Sequence, residues 1–277
     1  MKSINRRTLG LFISRTRKTE DWDFPLLHTR IYTHKHTNTH THTQIPLAGS
    51  SLPEKKMEIF LLFLLACFTQ AAPRKNLQDQ VFLFPKRSTG SYVLLKPSQN
   101  REMERFTVCL SFYSDLPNPH FGLFSASSRA HDNEILIFKL ADGYEVSLRN
   151  QPVVFKVPKE KTNQAWEDVC MAWDSATGIL QLWLNRVPLP RKVVAKGYRI
   201  QGDLVILLGQ DQDSYGGSLD LNQAFEGELG NVYLWETVLS ADQMKGFQRQ
   251  EDSTPLLDWL DLSYEIKGEV MVVPSLF

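Results

Sequence analysis

The chain has few of the features that define several large protein classes. It contains only 3 cysteines in 277 residues, which permit one disulfide at most, and it has no N-x-[ST] sequon. From residue 57 onward, 21 Lys and Arg stand against 27 Asp and Glu, and this acidic balance argues against a nucleic-acid-specific site. With 42% hydrophobic and 22% charged residues, the chain can build a packed core, which excludes a disordered or fibrous protein.

The longest uncharged apolar run, Ile59–Phe68, is too short to cross a bilayer, which needs about 20 residues. Small residues follow at Thr69 and Ala71, the −3 and −1 positions of a signal-peptidase site. We therefore interpret residues 57–71 as a secretory signal peptide; the alternative is a short buried strand or helix. The sequence predicts a secreted, extracellular protein without a transmembrane segment.

Residues 1–56 do not have the composition of a folded domain. They include the tract THKHTNTHTHT, whose His-Thr alternation is what a CA-dinucleotide repeat encodes. We interpret 1–56 as a non-native or disordered leader upstream of the true start at Met57, and 72–277 as one folded domain. The His-rich tract could instead bind a metal, but it has no fold to fix the geometry.

The folded part retains two cysteines, because Cys67 leaves with the signal peptide. An even number of cysteines in a secreted protein predicts a disulfide, here between Cys109 and Cys170. The alternative is a pair of buried free thiols.

Short strand-like segments dominate the chain from residue 72. Many alternate apolar and polar residues, and turn residues separate them every 8 to 15 positions. Strands are predicted to begin at residues 81, 91, 106, 134, 152, 179, 203, 231 and 269, and one helix is predicted over 240–248. The pattern predicts an all-β, lectin-like sandwich: a two-sheet antiparallel jelly roll with one short surface helix and one disulfide.

The segment 209–223, GQDQDSYGGSLDLNQ, is unusually rich in side-chain oxygens. It is not an EF-hand, because Tyr215 and Asn222 replace required ligands and a strand precedes it. A calcium site needs six to eight oxygens, more than this loop can present alone. Asp132 and Asn133, beside another predicted strand, supply a second pair of donors.

These motifs resemble the pentraxin family. The resemblance covers about 75–277 and rests on VFLFP, FTVCLSFY, DNEILIF, CMAWDS, GQDQDSYGG, GELGNVYLW and YEIKGEV, in this order. It implies a jelly-roll subunit in a cyclic homo-oligomer, usually a pentamer, with two Ca²⁺ ions per subunit. The implied calcium ligands are Asp132, Asn133, Asp211, Gln212 through its main-chain carbonyl, Asp213, Asp220 and Gln223. Asp211 stands where members of the family carry Glu, so it reaches less far toward the second ion.

The resemblance also assigns Phe138, Ser147 and Gln151 to the ligand pocket. Without the resemblance, Phe138 would be interpreted as a core residue. In phosphocholine-binding members a Glu receives the ammonium group, but that position falls here near Gln151 and Pro152, where no carboxylate remains; Glu145 is nearby in sequence. The implied partners are phosphocholine-like or phosphoethanolamine-like ligands, or anionic glycans.

The residues of the acidic loop allow three classes of function. The first is a secreted calcium-dependent pattern-recognition protein of the innate-immunity type, which the two-segment oxygen cluster favours. The second is an enzyme with Asp211 and Asp213 as paired carboxylates, but the chain lacks the Glu-x-Asp-x-Glu strand pattern of jelly-roll glycosidases. The third is an assembled family member with a weakened ligand site and a structural or scaffolding role. The sequence favours the first class and a protein without catalytic residues.

Overall fold

A computed structural model describes residues 73–157, 165–246 and 254–276. The leader and signal peptide assigned to 1–56 and 57–71 lie outside these residues and stay predictions. Among the helices of the described residues, none has both the length and the apolar character required to cross a membrane.

Strands account for most of the regular structure, as the alternating sequence pattern predicts. Their bounds are β1 (Arg74–Lys75), β2 (Gln80–Phe84), β3 (Tyr92–Leu95), β4 (Arg105–Tyr113), β5 (Phe121–Ser127), β6 (Ile135–Leu140), β7 (Gly143–Leu148), β8 (Gln151–Lys156), β9 (Glu167–Asp174), β10 (Ile179–Leu184), β11 (Val187–Pro188), β12 (Lys192–Val193), β13 (Val205–Leu208), β14 (Gly227–Trp235), β15 (Leu262–Lys267) and β16 (Met271–Pro274).

The strands form two antiparallel sheets. The first sheet has the order β1-β15-β3-β13-β5-β6-β7-β8, and the second has the order β11-β10-β9-β4-β14-β2-β16, with β12 beside β10. Neighbours in the sheets are often distant in the chain, as expected for a jelly roll. The predicted fold class, an all-β antiparallel sandwich, is confirmed.

Inward-facing side chains of both sheets form one hydrophobic core. Val146 and Phe155 reach it from the first sheet, and Phe106 and Trp173, whose ring centroids lie 6.0 Å apart, reach it from the second. Each such buried side chain contributes roughly 1.5–3 kcal/mol relative to an exposed one. Because the inward-facing side chains fill the core, the outward-facing side chains of the first sheet are available to form a binding site.

A polar contact also joins the two sheets. The Lys139 ammonium of β6 donates to Glu167 of β9 at 2.9 Å and to the Tyr144 hydroxyl of β7 at 3.2 Å. Burial first, and then the Glu167 charge, raise the pKa of Tyr144 well above its usual value. Because the three groups satisfy one another, this ion pair is tolerated between the sheets.

The predicted surface helix is present as α1 (Ala241–Gly246). Ser240 caps it: its Oγ accepts from the Gln243 amide at 3.3 Å, and the Gln243 side chain accepts from the Ser240 amide at 2.8 Å. This is a capping box. The predicted helical residues 247–248 lie outside the described residues.

Several strands were not predicted from the sequence, chiefly β5, β7, β9 and β15. In β5, FGLFSAS, glycine and serine weaken the strand signal. The structure explains this composition, because Gly122, Ser125 and Ser127 face the loop that forms the site described below. The ADG sequence at 141–143 predicts a turn, whereas the structure begins β7 at Gly143.

The predicted disulfide is confirmed. Cys109 of β4 and Cys170 of β9 are directly paired in the second sheet and bonded, and they lie 61 positions apart in sequence. In the chain-entropy model, a loop of this length restricts the unfolded state by about 4 kcal/mol.

We expect the double variant Cys109→Ala/Cys170→Ala to fold but to lose about 4 kcal/mol of unfolding free energy, because its unfolded chain is no longer cross-linked. Urea titration followed by tryptophan fluorescence measures this loss. Reduction of the unmodified protein should give a comparable drop. An unfolding free energy equal to that of the oxidised protein would contradict the prediction.

Candidate functional site

The acidic segment 209–226 connects β13 to β14 as a closed loop on the outer face of the first sheet. Its ends are joined, because the Phe225 amide donates to the Gly209 carbonyl at 3.0 Å. The Phe225 ring lies 5.2 Å from Phe84 and 5.0 Å from Phe121, which anchors the loop in the core. The loop is thereby fixed at its base.

The backbone of the loop lies almost directly on β5. A Cβ atom at Gly122 would come within 2.5 Å of the main-chain carbonyl group of Gln210 and 2.7 Å of the amide nitrogen of Asp211. Only glycine leaves room for this approach. Gly122 therefore determines how closely Asp211 sits on the sheet.

The Gln212 side chain holds the middle of the loop. It is fully buried, and its amide group donates to the carbonyls of Ser125 at 2.9 Å and Val205 at 3.1 Å. Its oxygen accepts from the Ser127 hydroxyl at 2.8 Å and the Gly216 amide at 3.0 Å. Because the side-chain oxygen is occupied, a cation contact from Gln212 would use the main-chain carbonyl, as the family resemblance implies.

The second half of the loop is a short 3₁₀ helix, Leu221–Gln223. Asp220 caps it by accepting from the Asn222 amide at 2.9 Å. Arg87, from the β2–β3 connection, donates to the carbonyls of Asn222 and, at 3.1 Å, of Ala224. These two carbonyls flank Gln223, so Arg87 holds the backbone on both sides of this predicted ligand.

Asp132 and Asn133 precede β6 and are held by the turn between β7 and β8. The Asn150 side chain donates to Asp132 at 2.6 Å and accepts from the Asn133 amide at 2.9 Å. Arg149 and Asn150 have φ values of 52° and 57°, as a two-residue hairpin turn requires. The next residue, Glu134, is buried and accepts from the Tyr198 hydroxyl at 2.8 Å.

Three of the predicted ligands carry buried oxygens without hydrogen-bond partners in the described part of the chain. They are Asn133 Oδ1, Asp211 Oδ1 and Gln223 Oε1. A buried unsatisfied acceptor costs about 1–3 kcal/mol, so such atoms are rare unless a ligand completes them. Amide and carboxylate oxygens are also the donors that Ca²⁺ prefers. The residues present therefore fit a hard cation.

The carboxylates of the site influence one another. Burial first, and then the charges of Asp213, Glu145 and Asp132, raise the pKa of Asp211 from 3.8 to about 7. Burial, and then the charges of Asp132 and Asp220, also raise the pKa of Asp213. The structure thus brings Asp132, Asp211, Asp213 and Asp220 into one electrostatic cluster that a cation would stabilise.

The charged side chains of the site would not hold a metal ion by themselves. Across the described residues, no three His, Cys, Asp or Glu side chains are arranged to hold a metal ion by themselves. The predicted donor set is different, because two amide side chains and a main-chain carbonyl accompany the carboxylates. Neutral oxygen donors of this kind suit calcium better than zinc.

The predicted ligand-pocket residues lie in different settings. Phe138 and Ser147 are 4% and 2% exposed and face outward on β6 and β7. Gln151 is exposed and paired with Leu148, a core residue, so strand alternation directs it away from their face. Glu145, in contrast, is directly paired with Phe138. The pocket assignment of all three residues stays a prediction.

The fold and the site together define a class of protein: a lectin-like jelly roll with an acidic, amide-rich loop on the outer face of one sheet. The model of the Pentaxin family matches residues 80–274. The chain is 38% identical to C-reactive protein of Oryctolagus cuniculus over 226 residues, which cover 77% of this chain and 98% of the relative. It is 39% identical to mucosal pentraxin of Bos taurus over 223 residues, with 79% and 100% covered. The chain therefore belongs to the pentraxin family.

A solved structure agrees with this fold. The native heptameric SAP-like pentraxin from Limulus polyphemus superposes with a TM-score of 0.64 at 20% sequence identity, covering 73% of this chain and 97% of that chain. At this identity the likeness supports the fold alone.

Sequence reasoning missed the residues that hold the site. Arg87, Gly122 and Asn150 act through tertiary contacts, and their local patterns carry no signal for a distant loop. Ser125 and Ser127 had a weak signal, since two serines in an otherwise apolar strand indicate a polar contact on one face. The sequence shows Glu145 near the pocket residues along the chain, but only the strand register shows that it is directly paired with Phe138.

We expect Arg87→Ala to weaken calcium binding about tenfold, because the carbonyls on both sides of Gln223 lose their donor. Calorimetric titration with CaCl₂ measures the affinity. Lys86→Ala is the matched control, since Lys86 forms an exposed ion pair with Glu269 rather than a contact to the loop in the described residues. Equal calcium affinities in the two variants would show that Arg87 does not position the loop.

The raised pKa of Asp211 predicts how stability depends on pH. The folded protein binds this proton more tightly than the unfolded chain, so without calcium stability falls as the pH rises from about 4 to about 7. The shift corresponds to at most about 4 kcal/mol.

In chelator, the melting temperature should therefore be lower at pH 8 than at pH 5, and calcium should raise it more at pH 8. Asp211→Asn should reduce the pH-dependent decline, because the amide carries no charge. Asp142→Asn, an exposed acid paired with Lys156, is the control. A decline of the same size in Asp211→Asn would exclude Asp211 as its source.

Proposed function

We propose that this chain is a secreted, non-enzymatic recognition protein that binds phosphate-bearing or anionic ligands on microbial or damaged-cell surfaces through Ca²⁺. The observation that carries the proposal is the set of buried oxygens without hydrogen-bond partners, Asn133 Oδ1, Asp211 Oδ1 and Gln223 Oε1, beside clustered carboxylates. This arrangement is unfavourable without a cation, and the donor types match calcium.

Two ions per subunit are proposed, held by Asp132, Asn133, Asp211, the Gln212 carbonyl, Asp213, Asp220 and Gln223. When bound, calcium offers open coordination positions to phosphate or carboxylate oxygens of a ligand. The protein holds these donors from both sides: Asn150 positions Asp132, Arg87 positions the turn at Gln223, and the buried Gln212 side chain positions the carbonyl between Asp211 and Asp213.

Secretion and assembly belong to the same proposal. A disulfide paired across two strands fits an oxidising compartment, in agreement with the predicted signal peptide. The pentraxin from Limulus polyphemus, which shares this fold, is heptameric, and we propose a closed ring for this chain too. We propose a homo-oligomer, with a pentamer as the expected ring size.

The test uses protein collected from the medium of cells that express the full sequence. In millimolar calcium it should bind phosphocholine or phosphoethanolamine beads, and a chelator should elute it. Asp213→Ala should abolish capture without changing the oligomer in size-exclusion chromatography, because Asp213 is a cluster carboxylate and an exposed residue. Asp142→Ala, a surface acid outside the cluster, should bind normally.

Capture that persists in chelator, or in Asp213→Ala, would refute the calcium-dependent role. If the unmodified protein binds neither bead and Asp211→Glu binds, the shorter Asp211 arm has weakened the site. That result would instead support an assembled family member with a structural role.

A further inference from the structure

An open cavity of about 430 Å³ lies against the second sheet, a volume that is sufficient for a small ligand. Ser111 of β4 and Asp168 of β9, which are directly paired, line it. The residues beside them in sequence belong to the core: Leu110, Phe112 and Val169. Strand alternation therefore turns Ser111 and Asp168 to the outer face of the second sheet. The cavity lies on the side of the sandwich opposite the acidic loop.

A chain of hydrogen bonds orients the polar side chains of the cavity. The buried Ser111 hydroxyl donates to Asp168 Oδ1 at 2.8 Å and accepts from Asn231 Nδ2 at 3.2 Å. The Asp168 amide donates to the Asn185 side chain at 2.8 Å, which fixes the start of β9. Asp168 Oδ2 lies 3.7 Å from Arg186 Nε, too far for a hydrogen bond, so this oxygen is able to accept one from a ligand.

A β-bulge brings Asn231 into the cavity. The pairing of β14 with β4 shifts register between Gly230 and Tyr233, and the exposed Asn231 has a φ of 52°. Bulges of this kind redirect a side chain and are frequent beside functional sites. The Asn231 amide uses one N–H for Ser111, so its second N–H and its oxygen remain for a ligand.

Trp166 adds an aromatic surface beside these polar groups. It lines the cavity, is half-buried, and stacks on Tyr113 with the ring planes 28° apart and the centroids at 6.3 Å. This contact holds the indole in one orientation. A few oriented polar groups beside an aromatic ring are typical of small-molecule sites.

The charges at the cavity favour a neutral ligand. Asp79 and Asp168 would repel an anion, and the Arg186 guanidinium beside Asp168 would repel a cation. A ligand with several hydroxyl groups can donate to the carboxylates and accept from the amide and the guanidinium at the same time. The C–H groups of a pyranose ring also give such a ligand an apolar face for Trp166.

We propose that this cavity is a calcium-independent binding site for a neutral hexopyranose. Asp168 accepts from a hydroxyl group of the sugar, and Asn231 and Arg186 donate to others. Trp166 packs against the C–H face of the ring. The inference goes beyond the proposed function, because this site uses no cation and no residue of the acidic loop.

The test titrates the protein, in chelator, with methyl α-D-glucopyranoside, methyl α-D-mannopyranoside and methyl β-D-galactopyranoside and follows binding by saturation-transfer NMR. At least one glycoside should bind with a Kd on the order of 1 mM, and calcium should not change this value. Asp168→Asn keeps an oxygen that accepts from Ser111 but loses the charge, so it should weaken binding about tenfold. Trp166→Ala should weaken binding about tenfold as well. Asp142→Asn, which removes an exposed charge elsewhere, is the control and should bind normally.

Charged derivatives of the glycoside that binds provide a second measurement. Replacement of its 6-hydroxyl group by an amine or a phosphate should not increase the affinity, and tighter binding of either derivative would overturn the assignment to a neutral ligand. Binding of none of the three glycosides, binding that requires calcium, or binding unchanged in Asp168→Asn or Trp166→Ala would each overturn the site. Because the titration is done in chelator, its failure would leave the calcium-dependent capture of the proposed function intact.

Discussion

The burial of clustered carboxylates is the constraint on which the site depends. Asp211 is buried on the face of a sheet, and burial first, followed by the charges of neighbouring carboxylates, raises its pKa to about 7. Neutral and cationic groups hold this loop on the sheet: the Gln212 amide in its middle, Phe225 at its base and Arg87 from the β2–β3 connection. These contacts hold the carboxylates in place when no cation is bound between them.

The same constraint explains which parts of the structure the sequence could predict. Alternating apolar residues identified most strands, and the density of oxygens identified the acidic loop, because both signals are local. β5 was not predicted, because its small residues Gly122, Ser125 and Ser127 contact the loop instead of packing in the core. Arg87, Gly122 and Asn150 were missed because their roles depend on which strands become neighbours, which one sequence does not reveal.

Strand alternation determines which side chains share the outer face of the first sheet. The family resemblance places the ammonium-binding position near Gln151, where no carboxylate remains. The register of β6, β7 and β8 instead pairs Glu145 with Phe138 and Gln151 with the core residue Leu148. The loss of a carboxylate near Gln151 therefore does not remove negative charge from the outer face of the sheet, where Glu145 lies. Specificity in this fold depends on the face of the sheet as well as on the order of residues.

The two-residue turn Arg149–Asn150 limits which sequence changes this part of the protein can tolerate. Asn150 connects Asp132 and Asn133 to the hairpin of β7 and β8, and both turn residues adopt left-handed backbone conformations. One inserted residue would move Asn150 away from its partners and turn the side chains of β8 to the opposite face of the sheet. Surface loops usually tolerate insertions, but here the length of an exposed turn is tied to the geometry of a site on the neighbouring strands. Substitutions can diversify this edge of the protein, whereas insertions and deletions cannot.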